Sequence, residues 1–121
     1  MHAFLVLAGI GTLVLFGIPI LLAPLRWARA LKWEIPEDVR LVRYFARSLG
    51  CTAVAIGSVA VYLGLQDEPP REFVLVAIIA SGLLAVIHVV GAIERSQPWT
   101  ETAEILLWTG LTAWGITAFL G

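Results

Sequence analysis

The sequence predicts an all-α integral membrane protein: a four-helix bundle with both termini outside and a short interfacial helix in the first loop. Three observations carry this. Hydrophobic residues make up 60% of the 121 positions and charged residues only 14%, a balance outside the range of soluble domains. Four apolar stretches approach or reach the roughly 17 to 25 residues that a helix needs to cross the hydrocarbon layer. The apolar positions do not alternate with a period of two, which argues against a barrel of short strands. The chain therefore reads as one transmembrane domain, 1–121, with helices at about 3–24, 38–65, 72–94 and 100–120.

The first helix has no Lys or Arg before it, and its apolar run is longer than the roughly 7 to 15 residues of a signal-peptide core, so it is expected to be a mature helix. Gly9, Gly11 and Gly17 with Pro19 predict close packing and a kink. The connection PLRWARALKWEIPEDVR sets Trp27 and Trp33 among basic residues, the arrangement of a segment lying in the membrane interface. Pro36, Glu37 and Asp38 predict the start of the second helix, since proline tolerates the first helical position and acids favour the positive end of the helix dipole. Ala53 and Gly57 give that helix a small-residue contact face. Cys51 has no partner cysteine in the chain and reads as a packing residue.

The third helix carries Ser81, Ala85, His88, Ala92 and Arg95 at spacings of three and four, a small and polar stripe that faces other helices. Pro98 breaks the chain, Thr100 is a candidate N-cap, and Glu101 and Glu104 occupy the first turn of the fourth helix. Along that helix Glu104, Trp108, Thr112 and Gly115 share a face. Thr109, Thr112, Thr117 and Trp114 are candidate cavity linings, although threonine hydroxyls in membrane helices commonly bond their own preceding carbonyls. Tyr62 and Trp99 have the positions of interfacial anchors.

Seven of the eight Lys and Arg residues fall on one side of alternating helices, with Arg71 alone opposite. By the positive-inside rule the first loop and the 88–104 junction face the cytoplasm. A net charge of −1 gives no reason to expect nucleic acid.

At 1.5 Å per residue His88 lies roughly 9 Å inward of Glu94, and Glu104 roughly 6 Å along the next helix from Thr100, at similar depth. The expected site is a His88–Glu104 pair inside the bundle, with Glu101, Glu94, Arg43 and Arg47 at its mouth and Trp108 as its apolar wall. A histidine beside a carboxylate within a membrane is a functional candidate; the same pair is also a plausible interhelical lock. Arg43 and Arg47 read either as an anion or headgroup site or as snorkelling anchors. No metal is expected, because His2 sits at the far end of its helix and cannot join His88 on one ion. Ser81 is about two turns from His88, so no activated nucleophile is legible.

The segment LVRYFARSLGCTAVAIG, with Arg47, Gly50 and Gly57 opening a helix rich in small residues, resembles the DoxX-like superfamily of small four-helix bacterial and archaeal membrane proteins. That resemblance implies a plasma-membrane, multi-pass protein. Some members of the group are membrane subunits of quinone-linked sulfur oxidation, and others are tied to redox homeostasis. It transfers no catalytic residue, and the 88–104 junction has no counterpart in the group's pattern. The functional expectation is a non-catalytic component that binds a small hydrophobic or quinone-like ligand or lipid, or supports a homo-oligomer or larger membrane assembly. A transporter or channel with a His88/Glu104 proton or cation site is the alternative, followed by a lipid-acting enzyme.

Overall fold

The computed structural model describes residues 1–121 and is all-helical, without strands. Four helices are long and apolar enough to cross a membrane: α1 His2–Leu22, α3 Arg40–Gly64, α4 Arg71–Glu94 and α5 Trp99–Leu120. The short α2, Pro24–Ala30, lies in the first connection. α1 packs along α3 and α4 along α5, while α1 also meets α5. The molecule is thus two helix pairs joined mainly through α1 and α5.

The α1–α3 pair is set by glycine. A Cβ on Gly50 would lie 2.5 Å from the Leu21 nitrogen, and one on Gly9 would lie 2.8 Å from the Gly57 carbonyl oxygen. The two backbones approach to a distance that no side chain permits. The second pair meets through the polar stripe read in the sequence: Thr112 Oγ1 lies 2.9 Å from Ser81 Oγ and 2.8 Å from the Trp108 carbonyl. Phe4, Leu5 and Val74 are the most deeply buried side chains, and Phe4 stacks edge-on against Trp114 at 5.3 Å.

The accessible surface is 7792 Å², against roughly 6,400 Å² for a compact soluble monomer of this mass. Much of the excess is aliphatic, with residues such as Leu83, Ile93 and Leu106 turned outward, as lipid-facing helices require.

Where the sequence predicts a kink, α1 contains a π-helical segment, Thr12–Gly17. Pro19 has no N–H to offer the Leu15 carbonyl four residues earlier. The indole of Trp27 supplies the missing donor instead, at 2.8 Å. Two helix starts differ from expectation. α3 begins at Arg40 rather than near Asp38, because the Asp38 carboxylate accepts the Arg40 backbone N–H and pairs with its guanidinium from outside the helix. α5 begins at Trp99 with Pro98 before it; Thr100 is no cap, and its hydroxyl donates to the Leu31 carbonyl. Finally, α2 and α4 both end on non-glycine residues in the left-handed region, Lys32 at φ 68° and Arg95 at φ 54°.

Candidate functional site

Both left-handed ends are Schellman turns. In the first, Trp33 N–H bonds the Ala28 carbonyl and Lys32 N–H the Arg29 carbonyl. The turn at Lys32 reverses the chain after α2 and carries the Trp33 indole to α5. In the second, Ser96 N–H bonds the Gly91 carbonyl and Arg95 N–H the Ala92 carbonyl. The next residue, Gln97, then lies over Gly91 and donates from Nε2 to the His88 carbonyl at 2.9 Å. The four residues between α4 and α5 fold the first turns of α5 against the last turns of α4.

There the side chains converge. His88 Nε2 is 3.1 Å from Glu101 Oε2 and 3.5 Å from Glu104 Oε2. The expected partner was Glu104, with Glu101 at the mouth. Instead Glu101, only 8% exposed, is the nearer partner, because the four-residue turn through Gln97 sets the first turn of α5 directly against the last turns of α4. Two indoles hold the carboxylates: Trp33 Nε1 donates to Glu101 Oε1 at 2.8 Å, and Trp108 Nε1 to Glu104 Oε2 at 3.2 Å. No Lys or Arg pairs with either glutamate.

The tautomer of His88 follows from its other nitrogen. Nδ1 lies 2.7 Å from the Leu84 carbonyl, which only accepts, so Nδ1 carries a proton and donates it. Nε2 of neutral His88 then presents a lone pair to two carboxylates. Three acceptor atoms facing one another require a proton or a cation between them.

Beside this cluster is a cavity of about 350 Å³ lined by Phe16, Ile20, Trp27, Trp33, Leu49, Ala53, Leu84 and Trp108 together with the three ionisable side chains. All four long helices and the first connection contribute. Phe16 lies 5.2 Å from Trp108 and 6.1 Å from Trp27, ring centre to ring centre. A neighbouring cavity of about 400 Å³ extends toward Pro24, Ile35 and Pro36 and shares Ile20, Trp27, Trp33 and Leu49 with the first.

Of the residues singled out in the sequence, the structure brings together His88, Glu101, Glu104 and Trp108 and leaves three others apart. Arg43 and Arg47 are exposed and border a separate groove with Arg40, Tyr44, Ser48 and Cys51; they do not form a mouth for the cluster. Glu94 is exposed at the end of α4. Trp33 and Gln97, which complete the cluster, were legible only as an interfacial tryptophan and a loop glutamine. No metal is expected from the two histidines, since His2 bonds the Gly64 carbonyl at the far end of α1; one imidazole and two carboxylates with donor atoms within 4.8 Å of one another form a metal-type donor set that needs no second histidine.

The fold and this cluster define an all-helical protein of the membrane-spanning class with a buried polar site against an aromatic cavity. Comparison with protein-family models, curated proteins and solved structures finds no match to the chain.

Proposed function

We propose that this protein is a non-catalytic membrane component that binds a small, ring-bearing hydrophobic molecule of the quinone type. The single observation that carries this is the cavity of about 350 Å³, apolar and aromatic on most walls and closed on one side by His88, Glu101 and Glu104. Its size falls in the roughly 300 to 1,000 Å³ range of small-molecule sites, which combine apolar walls with a few placed polar groups. A carbonyl or hydroxyl on the ring meets the cluster, and an apolar substituent extends into the neighbouring cavity past Trp33. The groove between α1 and α5, lined by Leu7, Phe16, Leu107 and Trp114 among others, offers no ionisable side chain and is the natural place for lipid tails.

The membrane context proposed with it is a bacterial or archaeal plasma membrane, the four helices forming a bundle with the first connection and the α4–α5 turn on the cytoplasmic side. The excess of Lys and Arg on that side supports this orientation. The DoxX-like layout around Arg47, Gly50 and Gly57 supports the quinone class, and assembly with copies of itself or with a larger complex is consistent with the glycine-lined faces. Catalysis is disfavoured because no nucleophile is aimed at His88, the Ser81 hydroxyl being turned to the Ile78 carbonyl at 3.1 Å.

A short-chain benzoquinone tests the reading through tryptophan fluorescence, since Trp27, Trp33 and Trp108 all line the cavity. Saturable quenching is expected in the wild type and only linear, collisional quenching in Ala53→Phe, which fills the cavity from its α3 wall. Linear quenching in both, with the wild-type protein shown folded, would remove the quinone site.

A further inference from the structure

We infer that His88, Glu101 and Glu104 form a mononuclear site for a divalent first-row transition ion of the Zn²⁺, Mn²⁺ or Fe²⁺ class. The inference uses the same cluster as the proposed ligand site but does not need an organic ligand. It starts from a problem of charge. Two carboxylates lie among tryptophans and aliphatic side chains, Glu101 only 8% exposed, with no Lys or Arg beside them. Isolated buried carboxylates are costly, and they persist when protonated, paired or coordinated to a metal. Neutral His88 cannot compensate two negative charges, and even the imidazolium offsets only one.

The geometry answers this with a cation. Around a tetrahedral ion with metal–ligand distances near 2.0 to 2.2 Å, donor atoms sit roughly 3.3 to 3.6 Å apart. The separations from His88 Nε2 to the two carboxylates are 3.1 and 3.5 Å, and all three donors lie within 4.8 Å of one another, so a modest closing of the glutamates completes the set. One nitrogen and two carboxylate oxygens suit borderline and hard divalent ions and not soft ones.

The surroundings are those that metal ligands need. A metal-bound imidazole donates its other N–H to a carbonyl or carboxylate, which fixes the tautomer and aims the lone pair. His88 Nδ1 does this to the Leu84 carbonyl at 2.7 Å. Ligating carboxylates are in turn hydrogen-bonded, here by the Trp33 and Trp108 indoles. Gln97 holds the backbone of the histidine itself. With three protein donors, a fourth position remains open on the cavity side, where an oxygen of water or of a bound ring can complete the shell. A lock between α4 and α5 would need only one carboxylate; the second carboxylate and its own indole donor are what a metal site adds.

The test is elemental analysis of the whole chain, purified without a polyhistidine tag or chelator, followed by titration of the stripped protein with Zn²⁺ and with Co²⁺. About one ion per chain is expected in the wild type and in His2→Gln, which alters the only other histidine, with Co²⁺ giving the absorption bands of a low-coordinate N/O site. Glu104→Gln and His88→Gln should lose binding, and Trp33→Phe should weaken it roughly tenfold by freeing one carboxylate oxygen. Stripped wild-type protein that remains folded yet takes up neither ion would overturn the inference and leave a shared proton in the cluster. Ion binding that survives His88→Gln would overturn it equally. Ala53→Phe separates this proposal from the ligand reading: it should lose benzoquinone quenching and keep the ion.

Discussion

Replacing Gly50 by Ala isolates what holds α1 against α3. The new methyl would begin 2.5 Å from the Leu21 nitrogen, 2.7 Å from its Cα and 2.9 Å from its Cβ. Two of these are backbone atoms, so no rotamer change relieves the clash. Ordinary contact begins at 3.4 Å, which requires the helices to separate locally by about 0.9 Å (3.4 − 2.5). Overpacking of this kind costs about 1 to 3 kcal/mol, and an unyielding backbone puts Gly50 at the upper end. Alanine recovers about 0.5 to 1 kcal/mol of helix propensity, so a net loss of about 2 kcal/mol is expected. The same change at Gly110, in the middle of α5 with nothing within 4 Å of the added atom, meets no clash and should be neutral or stabilising by about 0.5 kcal/mol. Unfolding of both variants in mixed micelles under increasing SDS measures the difference. Because Leu49 and Ala53 on α3 face Ile20 on α1 across the cavity, separation at Gly50 should also weaken benzoquinone quenching. Equal stability of the two variants would refute the close approach of α1 and α3 as a stabilising contact.

The left-handed residues make a second case: Arg95→Gly should stabilise by about 1 kcal/mol, since glycine adopts φ 54° without the Cβ conflict, and an unchanged or lowered SDS midpoint would contradict that. Ser81→Ala should cost only about 0.6 kcal/mol, because the Thr112 hydroxyl retains the Trp108 carbonyl as acceptor; the same unfolding assay decides. At the start of α3, the Arg40 guanidinium and backbone N–H hold the Asp38 carboxyl below its ordinary value of 3.8. The folded pKa being the lower one, the contribution of this contact is present above pH 3.8 and is lost as the pH falls through the depressed value. Carboxyl carbon shifts should show Arg40→Gln returning Asp38 toward its ordinary titration, and an unmoved curve would exclude the pairing.

How much of this was legible in the sequence depends on which physics carried each part. The four long helices follow from composition and length, and they appear within a few residues of expectation. The two stripes, one through Ser81 and His88 and the other through Trp108 and Thr112, were visible because helical periodicity fixes which side chains share a face. Depth was harder to read. The partner of His88 depends on how the short turn sets α5 against α4, and Glu101 and Glu104, one turn apart on the same face, both come within 3.5 Å of Nε2. Trp33 was beyond reach, because its route to Glu101 passes through a left-handed Lys32, and lysine carries no signal for that conformation. Arg43 and Arg47 share a face with each other as expected, but helix periodicity says nothing about which neighbour that face meets.

The departures from local preference have a common location. The π segment of α1 lies just before Pro19, and the Leu15 carbonyl, to which Pro19 has no N–H to donate, accepts from the Trp27 indole. Lysine at 32 and arginine at 95 occupy backbone regions that favour glycine. His88 and Glu101 are buried within an otherwise oily chain. Each departure costs stability on its own terms, and independent costs would be scattered along the sequence. Instead they meet around one space: Trp27 and Trp33 are walls of the cavity, Arg95 ends the helix that carries His88, and the π segment contains Phe16, which stacks on Trp108. Strained or polar elements that converge on a single site are expected where a protein holds chemistry in place against its own folding preferences. A structural lock between α4 and α5 accounts for His88 and one carboxylate, but it gives no reason for α1 and the first connection to be bent toward the same point. The proposed site for a ligand and its ion does.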